Sequence, residues 1–246
     1  MSQLNCIIIK FKNIYDKFLN EKVVKFCIIS SLFIFLSGLF IATIIAVNFG
    51  PRGYNIWDNF ISDLGSLRYT PAPFILDITF MITAVLQIPI YSYFIKQTLI
   101  NHIKSNLNPN NNLISKNVSF STIKKVANIS LLFLILSSIS FFGVGVFSVD
   151  RPTILELHLI FSITLFTGLI FGAIFSGIVI FINQTRIPRF LGIYMAIGPI
   201  TAGILYICPP PSVTRFFLEW IMLFATLIWA IPCLLIMLDQ IKEIEK

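Results

Sequence analysis

The chain has 246 residues, of which 57% are hydrophobic and 12% are charged, and its mean hydropathy is +0.88. A soluble domain carries about 25% charged residues, so the composition excludes an ordinary soluble domain and indicates a multi-pass protein of the cell membrane. The length suits one bundle of about five to seven helices with short loops and leaves no room for a separate soluble domain.

The net charge of +7 is explained by membrane topology rather than by a nucleic-acid surface. All 12 Lys residues, together with Arg186 and Arg189, fall in segments that we assign to one side, which then has 14 bases and 5 acids. The opposite side has 4 bases and 6 acids. An excess of Lys and Arg in alternate loops marks the cytoplasmic side. We therefore expect membrane lipids, and no nucleic acid, as partners.

Residues 1–22 alternate apolar and basic side chains at near-helical spacing. This pattern predicts an amphipathic helix lying on the cytoplasmic leaflet, with a flexible basic tail as the alternative. The apolar run that follows is too long for the core of a signal peptide and does not end at a cleavage site.

Six apolar runs predict an all-α fold with six transmembrane helices, each long enough to cross a hydrocarbon core of about 30 Å. They occupy residues 23–240, with a short cytoplasmic tail at 241–246, and both termini are expected to be cytoplasmic. The polar, Asn-rich stretch 97–125 predicts a flexible cytoplasmic loop. The predicted spans are about 23–47, 72–96, 126–149, 154–182, 188–208 and 215–239.

Small residues in the fourth span predict close helix packing. Gly168, Gly172 and Ser176 recur every four residues, which lets another helix approach closely, more often within one bundle than in a dimer. The oligomeric state is left open by this pattern. The four cysteines have no close partner in sequence, and they predict neither a structural disulfide nor a zinc site: Cys6, Cys27, Cys208 and Cys233.

The segment before the second span concentrates the unusual residues of the chain. Ser62-Asp63-Leu64-Gly65 precedes a helix, where Ser or Asp commonly caps it and Gly permits a turn with positive φ. These residues therefore either order a re-entrant loop or place Asp63 in the mouth of the bundle, paired with His158 or Arg151. The nearby aromatic residues fit an interfacial belt: Tyr54, Trp57, Phe60 and Tyr69.

Ionisable groups at membrane depth are functional candidates, and here they cluster at the outer helix ends. Asp77 lies near the start of the second span, Asp150 ends the third, and Glu156 and His158 begin the fourth. His158 is either a hydrogen-bonded structural group or a general acid or base near neutral pH. A metal site that combines His158 with Asp63, Asp77 or Asp150 is conceivable, but we predict no metal and no cofactor.

Two blocks of the sequence resemble a known family. Asn59-Phe60-Ile61-Ser62-Asp63-Leu64-Gly65 looks like the N-x-[IL]-S-[DE]-L-G signature of domain of unknown function family 998, six-helix prokaryotic membrane proteins with DRAM-type relatives. Gly145 to Asp150, followed by His158, resembles that family's second block, except that Ser148 replaces the usual Pro. The resemblance spans about residues 27–240 and implies a six-helix fold. The signature positions that it implies in this chain are Ser62, Asp63, Gly65, Asp150 and His158.

Two functions fit these observations. In the first, the protein is an enzyme acting on a lipid or lipid headgroup at the outer leaflet, with Asp63 and His158 transferring protons and Ser62 as a weak candidate nucleophile. The second is a non-enzymatic sensor, transporter or bundle-stabilising protein that binds a lipid or small molecule. The other candidate site residues would bind substrate, the arginines holding an anionic headgroup: Arg52, Arg68, Asp77, Asp150 and Arg151.

Overall fold

The computed structural model describes residues 17–106, 119–150, 155–183 and 185–244. Within these ranges the chain forms six long helices and no strand, and all six are long and apolar enough to cross a membrane. This confirms the predicted all-α, six-helix architecture of a multi-pass membrane protein. The helices are α1 Glu21–Phe49, α2 Phe74–Asn106, α3 Phe120–Val146, α4 Leu157–Ile182, α5 Arg189–Ile207 and α6 Arg215–Ile244.

Large apolar side chains cover the outside of the bundle. On α1, Phe26, Phe33 and Phe40 recur every seven residues, and they are 65%, 72% and 66% exposed. Such a stripe would be costly in water but is expected on a face that contacts lipid, because lipid tails are as apolar as the side chains. The two tryptophans of α6, in contrast, face the inside of the bundle, since Trp220 and Trp229 are both buried.

The predicted loop 97–125 is too long, because helices occupy both of its ends. The helix α2 continues to Asn106, and α3 begins at Phe120 behind Ser119, whose side chain accepts the Ser121 N–H. Polar residues end a membrane span without ending a helix, and neither Gly nor Pro interrupts residues 90–106. Residues 107–118, and residues 1–16 of the predicted amphipathic segment, lie outside the described residues.

The small residues of α4 pack against α3, so they serve packing within the bundle. A Cβ placed on Gly168 would lie 2.9 Å from the Phe133 carbonyl oxygen. The Ser130 hydroxyl donates to the Gly172 carbonyl at 2.8 Å and lies 2.6 Å from the Ser176 hydroxyl. These bonds cross between the two helices, where a side chain larger than glycine would separate them.

Candidate functional site

The connection between α1 and α2, residues 50–73, folds inward over one end of the bundle, and we call it the cap. Its centre is a short 3-10 helix, Ile61–Gly65. Tyr54 is 6% exposed, and Leu64 and Ser66 are completely buried. The cap is therefore an ordered part of the core rather than a loose surface loop.

Aromatic side chains dock the first half of the cap on the start of α6. The Trp57 ring stacks on Phe217 with centroids 4.1 Å apart, and Phe60 packs on Phe216 at 4.4 Å. The Tyr54 hydroxyl donates to the Phe60 carbonyl at 2.9 Å. Of the aromatic residues expected in an interfacial belt, Trp57 is half-exposed, whereas Tyr54 is buried and makes its contacts inside the cap.

The end of α3 anchors the second half of the cap. Asp150 accepts hydrogen bonds from the Ser66 hydroxyl at 2.7 Å and from the Leu67 N–H. The Ser148 hydroxyl donates to the Gly65 carbonyl at 2.6 Å. A proline at position 148 has no hydroxyl to donate, so the departure of this chain from the resembled motif adds a bond to the cap.

A carboxylate from α6 anchors the cap at a third point. Glu219 accepts the Ile61 N–H at 2.7 Å, and the Thr214 hydroxyl at the start of α6 donates to the Trp57 carbonyl. Sequence reasoning missed Glu219 as a site residue. The available signal was an acid one turn inside an apolar helix, which is rare unless it has a partner or a function.

Asp63 organises the start of the 3-10 helix. Its carboxylate accepts the Phe60 N–H at 2.9 Å, as in the second half of a capping box. Burial raises the pKa of Asp63, although the hydrogen bonds from Phe60 and Asn59 act in the lowering direction. The positive charges of His158 and Arg68 also act to lower this pKa, so both groups lie close enough to interact with Asp63.

His158 ties the start of α4 to the end of α3. Its Nδ1 lies 2.7 Å from the Phe147 carbonyl oxygen. Because a carbonyl can only accept, Nδ1 carries the proton, and Nε2 of the neutral ring is free to accept one. Among the described residues no hydrogen bond joins His158 to Asp63, whose carboxylate accepts the Phe60 N–H instead.

Gly65 is required by space and not by backbone conformation. A Cβ at this position would lie 2.9 Å from Asp77 Oδ1 and 3.7 Å from the Ser148 hydroxyl oxygen. The positive φ that we expected at Gly65 is wrong; it occurs at Gly53, where φ is 73°. Asp77 is 7% exposed, so its carboxylate packs directly against the cap.

Two of the three predicted arginines lie on the surface. Arg52 and Arg68 are exposed on the rim of the cap, and Arg151 lies outside the described residues. Asn59, in contrast, is 5% exposed, and its side chain accepts the Asn55 N–H at 3.0 Å. Asn59 therefore shapes the cap internally.

A cavity of about 120 Å³ lies inside the bundle beneath the cap. Residues of α1, α2, α3, α4 and α6 form its walls, and the cap contributes Ile61 and Ser62. A second cavity of about 60 Å³ shares wall residues with it, including Gln87 and Ala230, and extends along α6 to Met237. The walls of the first cavity are mainly apolar, and their polar members are Ser31, Ser62, Thr83, Gln87, Tyr91, Ser162, Glu219 and Thr226.

The site brings together side chains from the cap, α2, α3, α4 and α6, but most of them already bind the cap. In the part of the chain that the structure describes, no group of three His, Cys, Asp or Glu side chains could hold a metal ion. Comparison of the chain with models of protein families, with curated proteins and with solved structures finds no match. The resemblance to family 998 therefore stays a prediction.

Proposed function

We propose that the protein binds a small amphiphile inside the six-helix bundle. The apolar part of the ligand occupies the cavity, and its polar part lies beneath the cap at Ser62 and Glu219. One observation carries this proposal: the cavity has mainly apolar walls, and these two polar residues enter the wall from the cap and the start of α6. Apolar cavities of about 150 Å³ accept small apolar molecules.

The polar end of the cavity would determine which ligand binds. A hydrocarbon chain that moves from the bilayer into the cavity exchanges one apolar environment for another, so it gains mainly packing contacts. Hydrogen bonds to the ligand's head are stronger beneath the cap, where Ser62 and Glu219 are partly shielded from water, than at the membrane surface. The cap would therefore provide selectivity, and the cavity, at about 120 Å³, would hold the part of the chain next to the head.

Native mass spectrometry of the purified protein tests this proposal. Ala230 lines both cavities, so Ala230→Trp should fill them; Ile228 lies on the same helix but is 55% exposed, so Ile228→Trp is a matched control. We expect about one retained amphiphile per chain in the wild type and in Ile228→Trp, and none in Ala230→Trp. Equal retention by all three proteins contradicts the proposal.

A lipid-headgroup-modifying enzyme is a second candidate, and the hydrogen bond of His158 favours it. With Nδ1 held by the Phe147 carbonyl, Nε2 could accept a proton from water or from a headgroup hydroxyl. Asp63 would stabilise the resulting positive charge. We expect His158→Ala to change the lipid species of cells that express the protein. An unchanged lipid profile, with the variant folded and inserted, rules out catalysis by His158.

A further inference from the structure

The cavity wall contains an acidic side chain. Among the described residues, Glu219 is the one ionisable acid or base in the wall, apart from Tyr91, and no base accompanies it. The described arginines at this end of the bundle, Arg52, Arg68 and Arg215, are exposed on the rim. No base in the described part of the chain forms an ion pair with Glu219; Arg186 pairs instead with Glu243, near the far end of α6.

Glu219 retains hydrogen-bonding capacity beyond its contact with the cap. Its Oε2 accepts the Ile61 N–H. A carboxylate has two oxygens with about four acceptor positions in total, so one backbone donor leaves several for a ligand. Glu219 is half-buried, and a carboxylate that is partly removed from water without a cation nearby is unfavourable, so a positively charged ligand would offset part of that cost.

The Thr83 hydroxyl is a further polar group in the same wall. Thr83 is 1% exposed, and its hydroxyl has no hydrogen-bond partner among the residues that the structure describes. Buried hydroxyls are nearly always paired with protein, water or ligand. Ser62 places another hydroxyl in this wall, which also holds those of Ser31, Ser162 and Thr226, so the cavity offers one carboxylate and several hydroxyl oxygens as acceptors.

We propose that the amphiphile is a cation, a long-chain ammonium whose head binds Glu219 beneath the cap. This inference rests on the proposed function. A primary ammonium has three N–H donors and no acceptor, which suits a wall that offers a carboxylate and hydroxyl oxygens as acceptors. An anionic head would be repelled by the Glu219 carboxylate. The proposed head is therefore positively charged, whereas the arginines on the rim had suggested an anionic headgroup. An aminolipid and a free long-chain amine share this chemistry.

Competition between probes of equal chain length tests the inference. The wild-type protein in phosphatidylcholine nanodiscs is photolabelled with a diazirine-bearing long-chain alcohol, and dodecylamine, dodecanol and dodecanoate compete for labelling. Ala230→Trp supplies the background from partition into the bilayer. We expect dodecylamine to compete at least about tenfold better than dodecanol, a difference of about 1.4 kcal/mol, and dodecanoate to be weakest. Phosphatidylethanolamine nanodiscs test the aminolipid source: reduced labelling assigns the site to a lipid head, and unchanged labelling assigns it to a free amine.

Glu219→Gln separates the charge from the fold. Glutamine keeps a carbonyl oxygen for the Ile61 N–H, so the cap remains anchored. The preference for the amine over the alcohol should disappear, because glutamine carries no charge. Asp58→Asn, which neutralises an exposed acid of the same cap, should keep the preference. Thr83→Val should weaken the amine a few-fold and leave the protein folded.

The outcomes distinguish this inference from the proposed function. Equal competition by amine and alcohol in the wild type, or an undiminished preference in Glu219→Gln, overturns the cationic head and leaves the cavity as a binding site. Labelling that is identical in the wild type and in Ala230→Trp overturns the proposed function itself. If Glu219→Gln does not fold, the wild-type ranking of the three probes decides alone.

Discussion

Replacing Asp150 by alanine should detach the second half of the cap from α3. The change removes the acceptor for both the Ser66 hydroxyl and the Leu67 N–H. Ser66 is 0% exposed, so its hydroxyl loses a partner that water cannot replace, at a cost of about 1–3 kcal/mol. Leu67 is 62% exposed, and water can bind its N–H instead. We expect the free energy of unfolding to fall by about 2 kcal/mol.

Thermal unfolding in mild detergent measures this loss. For a chain of this size, about 2 kcal/mol corresponds to a decrease in Tm of roughly 4–8 °C. Ser66→Ala and the double variant complete a cycle, in which we expect a coupling free energy of about 1 kcal/mol between the two residues. The exposed acid Asp58 provides the control, since Asp58→Ala should change stability by less than about 0.5 kcal/mol. Strictly additive effects of Asp150→Ala and Ser66→Ala would refute the anchoring role.

Three further predictions concern the cap and the α3–α4 contact. Gly65→Ala forces a Cβ against the Asp77 carboxylate of α2 and should lower the free energy of unfolding by about 1–3 kcal/mol. Gly53→Ala meets open space, so it should cost only about 1 kcal/mol for its positive φ. Equal costs of the two variants would contradict the close approach at Gly65. Burial raises the pKa of Asp63 above its ordinary 3.8. The contribution of this carboxyl to the free energy of unfolding is therefore complete below pH 3.8 and is lost as the pH rises through the raised pKa. Asp63→Asn should flatten that part of the Tm-against-pH profile, and superimposable profiles would refute this assignment. Ser130→Ala should lower the free energy of unfolding by about 0.6 kcal/mol. Ser92→Ala should have a smaller effect, because the Ser92 hydroxyl binds only its own helix. A larger effect at Ser92 would argue against the interhelical bonds of Ser130.

The fold could be predicted because membrane crossing imposes a strong constraint on composition. Each span needs about 20 consecutive apolar residues, and the sequence contains six such runs. The helix ends were less predictable, as the polar extension of α2 to Asn106 shows. Hydropathy reports where a span leaves the hydrocarbon, whereas a helix continues until its backbone bonding is interrupted. The cytoplasmic location of both termini remains a prediction from the charge distribution.

The candidate site was only partly predictable, because its key contacts join distant parts of the chain. Asp63 and Asp150 stood out as acids beside apolar runs, but their roles as backbone anchors depend on geometry. The bond between Ile61 and Glu219 spans 158 positions in the sequence, and no local pattern marks it. Gly65 was singled out for a turn with positive φ, but its φ is not positive, and a larger side chain there would instead meet the Asp77 carboxylate.

The most direct test of the account is to map where a photoreactive amphiphile attaches. A long-chain diazirine probe is cross-linked to the protein in nanodiscs, and the modified residues are identified by mass spectrometry. The account predicts labelling of the α2 segment that contains Thr83 and Gln87, and loss of that labelling in Ala230→Trp but not in Ile228→Trp. Labelling confined to outward-facing positions such as Phe33 and Phe40, and unchanged in Ala230→Trp, would contradict a ligand inside the bundle.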